Sequence, residues 1–203
     1  MQEQKVIKIL QEELKFTDQS IDKLKMLETE LLKANKKYNF ISKSTERSIW
    51  SRHILDSAQL VKYINFKQGS LSDLGSGAGF PGLVLAIYNQ NFNFHVKLYE
   101  KSAVKRKFLD EMIGKLKIKA SLFSNVFDEK IESNYIICRA FKKLDKIIQV
   151  SREIAKKPHK LLILKGQNAQ EESIKAFKSY KYSYKLEKSM TDEKSKILIA
   201  DIF

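Results

Sequence analysis

The sequence predicts an α/β fold: a Rossmann-like sheet of seven strands, the last two forming a hairpin, behind a helical N-terminal extension. Three observations carry that prediction. Residues 1–68 contain no glycine or proline and repeat apolar side chains at helical spacing. From Ser70 onward, short apolar runs alternate with amphipathic stretches, the pattern of strands joined by helical crossovers. The chain then closes on two strand-like runs with only a polar turn between them. Its 203 residues suit one domain with a small extension. A composition of 43% apolar and 31% charged residues lies well inside the globular range.

In the extension, Val6, Ile9, Leu10 and Leu14 share one helical face, and Ile21, Leu24, Leu27 and Leu31 share another. Thr17 is placed to cap the second helix. A third helical stretch runs over about 45–64, presenting Ile49, Trp50, Ile54, Leu55, Ala58, Val61 and Ile64 to a core. We divide the chain into a helical extension at 1–65 and an α/β domain at 66–203. Strands are predicted at about 70–74, 94–99, 119–123, 134–138 and 160–165, and helices at about 80–90, 103–117, 142–156 and 168–178. Tyr180 to Lys188 and Lys196 to Phe203 form the hairpin. Five alternating strands closed by an antiparallel pair match the class I methyltransferase sheet, whereas a dinucleotide-binding Rossmann domain keeps alternating through six parallel strands.

Four of the seven glycines and one of the two prolines fall between Gly75 and Gly82, directly after a strand and before a helix. Two patterns overlap there: Gly75-x-Gly77-x-Gly79, and Gly77-x-Gly79-x-x-Gly82, which is formally the dinucleotide fingerprint. In that fingerprint the first glycine turns the chain as the strand ends, but this strand ends at Leu74, two positions too early. Asp73 would also repel a pyrophosphate. A carboxylate there suits a cofactor with a positive end, such as the ammonium and sulfonium of S-adenosylmethionine. Glu100 closes the second strand, where an acid accepts hydrogen bonds from ribose hydroxyls.

The net charge is +14, with 33 Lys against five Arg (Arg47, Arg52, Arg106, Arg139 and Arg152). Such a balance is either a footprint for a polyanion or the lysine bias of an AT-rich genome. The single cysteine, Cys138, excludes a disulfide, a multi-thiolate zinc site and an iron-sulfur cluster within this chain. His53, His95 and His159 are too scattered to pair on a metal, and neither a P-loop nor a Gly-x-Ser-x-Gly elbow is present. Methyltransferases acting on exocyclic amines carry an Asn- or Asp-Pro-Pro-aromatic motif after the fourth strand, and neither proline is there. No run approaches the roughly 18 apolar residues of a membrane helix and the N-terminus lacks a signal pattern, so we expect a cytoplasmic protein with no membrane partner.

Chemistry in an open parallel sheet occurs beyond the carboxyl ends of the strands. That rule selects Arg139 after the fourth strand and Lys165 after the fifth. Arg139 either pairs with a carboxylate or phosphate of a ligand or sits in a surface ion pair. Cys138 ends an apolar run and is either buried structure or the nucleophile of a pyrimidine-carbon methyltransferase. His53, flanked by Arg52, Asp56 and Ser57, is either a hydrogen-bonded core histidine or a functional one.

Taken together, Tyr38-Asn39, the segment Arg52 to Ser57, the loop Asp73 to Gly82, Glu100 to Arg106, the triplet Arg139 to Phe141 and Lys165 to Gln167 resemble the small-subunit ribosomal RNA methyltransferase G family (RsmG, or GidB). The resemblance covers nearly the whole chain. It implies a Rossmann-like methyltransferase with a helical extension that methylates guanine N7 in the 530 loop of 16S rRNA, at position 527 in the family. The implied substrate is the rRNA or an assembly intermediate, and the implied cofactor is S-adenosylmethionine, with no metal. Matched residue by residue, it implies cofactor contacts at Gly75, Phe80, Glu100, Val126, Phe127 and Arg139. To these the residues themselves add Asp73 and Gly77 for the cofactor, and Arg52, His53, Arg139 and Lys165 for substrate. No general base is assigned. Phe127 departs from the acidic residue common there in the family, and Cys138 from a serine. Two other readings stand beside this one: a small-molecule methyltransferase of the same fold, and an RNA-binding protein whose loop holds no cofactor.

Overall fold

The structure is a computed structural model that describes residues 1–128, 130–178, 180 and 182–203. Its centre is a seven-stranded sheet: β1 (Gly69–Leu74), β2 (Phe94–Tyr99), β3 (Ala120–Phe123), β4 (Tyr135–Arg139), β5 (His159–Lys165), β6 (Tyr184–Lys188) and β7 (Lys196–Ile202). They lie in the order β3-β2-β1-β4-β5-β7-β6. Strands β1 to β5 are parallel, β7 runs antiparallel to β5, and β6 pairs with β7 as the predicted hairpin. Lys181, within the run predicted from Tyr180, lies outside the described residues. The order reverses direction at β1, which has β2 on one side and β4 on the other. Ligands of open α/β sheets sit at such a switch point, beyond the carboxyl ends of the strands. Here it is flanked by Gly75 and Arg139.

Because side chains alternate along a strand, each strand serves two cores. One face carries Leu71, Val96, Leu98, Ile137, Leu162 and Ile199. It is covered by helices α1 (Glu3–Glu12) and α2 (Asp18–Tyr38) of the extension together with α5 (Gly82–Tyr88) and α6 (Ala103–Leu116). The other face carries Leu74, Tyr99, Ile136, Cys138, Leu161 and Ile163 against α7 (Leu144–Ile154) and α8 (Ala169–Phe177). The extension therefore shares one continuous core with the sheet. Thr17 caps α2 as expected, accepting from the Ser20 amide at 3.2 Å, and Ser20 Oγ ties α2 to α5 through the Ile87 carbonyl at 3.2 Å.

The third helical stretch is not the single helix expected from its periodicity. It breaks into α3 (Lys43–Glu46), a π-helical turn over Trp50–Leu55, α4 (Asp56–Ala58) and a 3-10 turn over Gln59–Tyr63. Hydroxyls compete for the backbone here: Ser57 Oγ donates to the His53 carbonyl at 2.6 Å and Ser51 Oγ to that of Ser48 at 3.3 Å. The wider turn keeps Trp50, Ile54 and Leu55 buried while Arg52, His53 and Asp56 stand over the carboxyl end of the sheet. Apolar spacing alone does not register an extra residue in one turn.

His159 opens β5 as a buried imidazole. Its Nδ1 lies 3.3 Å from the Lys157 carbonyl and its Nε2 has no partner. Burial depresses its pKa below the ordinary value. An unfolded chain takes up that proton near pH 6.5 while the folded one does not, so the stabilising contribution is present above 6.5 and is lost as pH falls towards the depressed value. His53 and His95 act with the same sign. Between pH 6.5 and 5 we expect the chemical-denaturation midpoint of the wild type to drop relative to that of His159→Gln. Equal slopes would refute the assignment.

Candidate active site

At the end of β1 the amides of Gly75 and Ser76 both donate to the Tyr99 carbonyl at 2.9 Å, turning the chain out of the sheet. The Gly79 and Phe80 amides then close on the Ser76 carbonyl at 2.7 and 3.1 Å. Gly75, Gly77 and Gly79 hold φ of 73°, 58° and 97°, the left-handed region that side chains disfavour. Their surroundings differ. A Cβ on Gly75 would lie 2.6 Å from the Phe141 ring, and one on Gly82 would lie 2.3 Å from Leu98. A Cβ on Gly77 meets nothing closer than the Gly75 carbonyl at 3.8 Å. Gly77 is thus bare towards open space, while the other two are bare because protein packs on them.

Glu100 is fastened beside this loop. One carboxylate oxygen accepts from the Gly77 amide and the other from the Ser102 amide, each at 2.8 Å, and Arg106 donates to the Glu100 carbonyl at 3.0 Å. Asp73 stands at the strand end beside the loop, as expected, but its carboxylate is turned inward. It is fully buried beneath the loop, with Oδ2 accepting from the Gly82 amide at 3.0 Å and Oδ1 unpartnered. Burial pushes its pKa up to about 7. The reason is local: Gly82 has no side chain, so the start of α5 settles directly on the carboxylate.

On the other side of the switch point, Arg139 gathers the expected substrate residues. Its guanidinium lies 2.8 Å from His53 Nδ1, 3.0 Å from the Arg52 carbonyl and 3.5 Å from Asp56 Oδ2, and it covers the Phe80 ring at 5.3 Å. A guanidinium only donates, so His53 Nδ1 accepts and the ring proton sits on Nε2, which is buried without a partner. Burial, then the Arg139 and Arg52 charges, hold the His53 pKa at about 3, so the ring is neutral. The ring also packs on Phe80, centroids 5.1 Å apart. Burial raises the Asp56 pKa against the pull of Arg139.

A cavity of about 430 Å³ opens beyond β4 and β5, bounded by Arg52, His53, Asp56, Arg139 and Lys165. Lys165 is tied to Glu172 at 2.6 Å. Cys138 is fully buried with its pKa driven upward by burial, which removes it as a nucleophile. Val126 is buried in the second core, and Phe127 is half-exposed, 6.0 Å from the Lys101 ammonium beyond the end of β3. On the same loop the Asp128 carboxylate accepts from Ser124 and Asn125 at 2.9 Å. Among the described residues no group of three or more His, Cys, Asp or Glu is placed to hold a metal ion.

Two features of the site escape sequence reasoning. The turn between β6 and β7 folds back over the π-helical segment: Arg52 pairs with Asp192 at 3.3 Å, Thr191 Oγ1 donates to Asp56 at 3.3 Å, and the Met190 amide donates to Gln59 at 2.8 Å. These partners are more than 130 positions apart, and a polar turn carries no sign of where it will land. The second is Phe141, seated on Gly75 after Ala140, whose φ is 50°. Its place in the Arg139 to Phe141 triplet was the available signal.

The profile of a family described as "rRNA small subunit methyltransferase G" (GidB) matches residues 20–199. A protein of Rickettsia typhi named ribosomal RNA small subunit methyltransferase G is 40% identical over 180 residues, covering 88% of this chain and 92% of its own. The protein of that name from Rickettsia prowazekii is 36% identical over 194 residues, covering 91% and 95%. Among solved structures, a SAM-dependent methyltransferase from Aquifex aeolicus superposes with a TM-score of 0.60 at 15% identity, over 85% of this chain and 98% of its own. M. jannaschii TYW2 in complex with AdoMet superposes with a TM-score of 0.54 at 15% identity, over 75% and 76%. At that identity the structures speak to the fold, which is the class I Rossmann-like methyltransferase fold with an N-terminal helical extension. With its profile matched from residue 20 to 199 and such relatives along most of its length, the chain belongs to the rRNA small subunit methyltransferase G (GidB) family.

Proposed function

We propose that this protein transfers a methyl group from S-adenosylmethionine to N7 of a guanine in the 530 loop of 16S rRNA. It acts in the cytoplasm on the rRNA or a small-subunit assembly intermediate. One observation carries the reading: at a single switch point, the bare, outward-facing Gly77 and the clamped Glu100 stand on one side and the cationic cavity around Arg139 on the other. The residues fit the cofactor. Gly77 leaves room for close approach, Glu100 retains lone pairs for ribose hydroxyls, and the unpartnered Oδ1 of Asp73 favours a cation above the loop. We assign the cofactor to Asp73, Gly75, Gly77, Phe80, Glu100, Val126, Phe127 and Arg139. Asp73 acts from beneath the loop, where a cation bound above favours its ionised form, and Phe80 acts by backing Arg139. S-adenosylmethionine, when bound, supplies an electrophilic methyl group on a sulfonium.

Guanine N7 presents a lone pair and no proton, so these side chains need not remove one. That agrees with a His53 held neutral and engaged with Arg139: it fixes the guanidinium and moves no proton. Arg52, whose side chain is half-exposed, and Arg139 offer cations to RNA phosphate at the rim and floor of the cavity, with Lys165 beyond them. What remains for the protein is positioning, which effective-molarity arguments value at roughly 7–11 kcal/mol. N7 is hard to reach in an A-form major groove, so the base is taken from a loop or turned out of its stack.

The direct test is mass mapping of methylated 16S rRNA nucleotides from cells with and without the gene. We expect loss of one N7-methylguanine in the 530 loop. Gly77→Ala should fold, at a cost of about 1–2 kcal/mol for its left-handed backbone. It should bind labelled cofactor about tenfold or more weakly, because its methyl group fills the approach face. Wild-type affinity in a folded variant would move the cofactor elsewhere. On an rRNA fragment with 7-deazaguanine at the target, we expect methyl transfer to vanish and binding to persist. Continued transfer would mean another acceptor atom.

A further inference from the structure

A second groove, of about 400 Å³, lies between the end of α2 and the first turns of α6. Its wall is an aromatic ladder. Tyr38 stacks on Phe40 at 5.5 Å and 16°, and Phe40 rests on the buried Phe108 at 5.3 Å. Tyr38 is 54% exposed, and Val104, which also lines the groove, is 45% exposed. The corner presenting them is built. Asn39 caps α2 in a left-handed conformation. Buried Asn35 then holds the returning chain, accepting from the Ile41 amide at 2.8 Å and donating to the Ile41 carbonyl at 3.1 Å and to Glu46 at 2.6 Å. Tyr38 is therefore exposed on a fixed backbone.

The charges at the groove are arranged for an anion. Glu30 is neutralised by Lys33 and Lys115. That leaves Glu111 against Lys37 and Lys107, two exposed cations that make no ion pair among the described residues. The groove also lies beside the site. Ser102, which caps the start of α6, has its amide held by Glu100, and Thr45, seven residues after Tyr38, lines the cavity of Arg52 and Arg139.

We propose that this groove is a second RNA subsite, in which Tyr38 stacks under an unpaired base flanking the target and Lys37 and Lys107 hold its phosphates. It deepens the reading above and rests on it. An aromatic face open on one side and stacked on the other accepts any base, and flanking cations track the backbone, the pairing used by single-strand binders. The groove thus supplies affinity and register, leaving the choice of nucleotide to the cavity.

The test uses the full chain and a 530-loop fragment of 16S rRNA carrying 2-aminopurine at successive unpaired positions. We expect one position to be quenched by wild type and by Tyr38→Phe, but not by Tyr38→Ala, which should bind about tenfold more weakly. Cofactor affinity should be unchanged, because Tyr38 is outside the cofactor site. Lys107→Ala should flatten the log-log salt dependence of binding by about 0.7. Fragment binding and quenching by Tyr38→Ala equal to wild type would overturn the subsite while leaving the methyltransferase reading intact. A loss confined to assembled particles, with naked fragment bound normally, would assign the groove to a protein and also overturn it. If wild type binds cofactor but no fragment, the RNA reading itself fails and the subsite with it.

Discussion

The arrangement depends on one constraint: the backbone must leave β1 at the sheet's switch point with no side chain in the way. Two successive amides, Gly75 and Ser76, share the Tyr99 carbonyl, so β1 and β2 are joined at the place where β1 stops. The turn that follows is left-handed at three glycines, and each absence of a side chain serves something different. Phe141 from the β4 side packs on Gly75, the Leu83 side chain packs on Gly79, and Gly77 faces outward. The loop is thereby both a packing joint between the two halves of the sheet and an open wall. A side chain at Gly75 or Gly79 would first damage the joint.

A second constraint is electrostatic. Arg139 is largely buried, and such a charge persists only when its donors are met. Asp56, the Arg52 carbonyl and His53 meet them, and Phe80 takes the face of the guanidinium. The imidazole is therefore kept neutral, an acceptor committed to its neighbour. The cluster joins three distant parts of the chain: the π-helical turn, the glycine loop and the end of β4. The β6–β7 turn adds a fourth through Asp192 and Thr191. Asp192 screens Arg52, a half-exposed cation at the rim of the cavity, so the rim is less positive than its arginines alone suggest.

Much of this was legible beforehand because the signals are local. Strand and helix periods placed the seven strands within a residue or two in most cases, and at Tyr184 the shift is four. Clustered glycines marked the loop, and strand ends pointed to Glu100, Arg139 and Lys165. The failures are equally physical. Apolar spacing at 45–64 reads as one helix because a π turn preserves which residues are buried while changing the backbone path. That the Asp73 carboxylate is buried could not be read, because a sequence shows that an acid ends a strand without showing which way the next helix settles. The Tyr38 ladder was invisible, since exposure of an aromatic depends on what fails to pack over it.

The sequence by itself determined the strand count and the hairpin, the place of the glycine loop and the chemical types gathered near the strand ends, because these follow from periodicity and residue chemistry over short spans. Only the tertiary structure decided that Asp73 lies under the loop, that burial and the Arg139 guanidinium at its Nδ1 keep His53 neutral, that the β6–β7 turn closes on Arg52, and that Gly77 is bare towards open space where Gly75, Gly79 and Gly82 are packed on. Each of these turns on which distant group comes to occupy a given space, and that is set by how the elements pack rather than by any one of them.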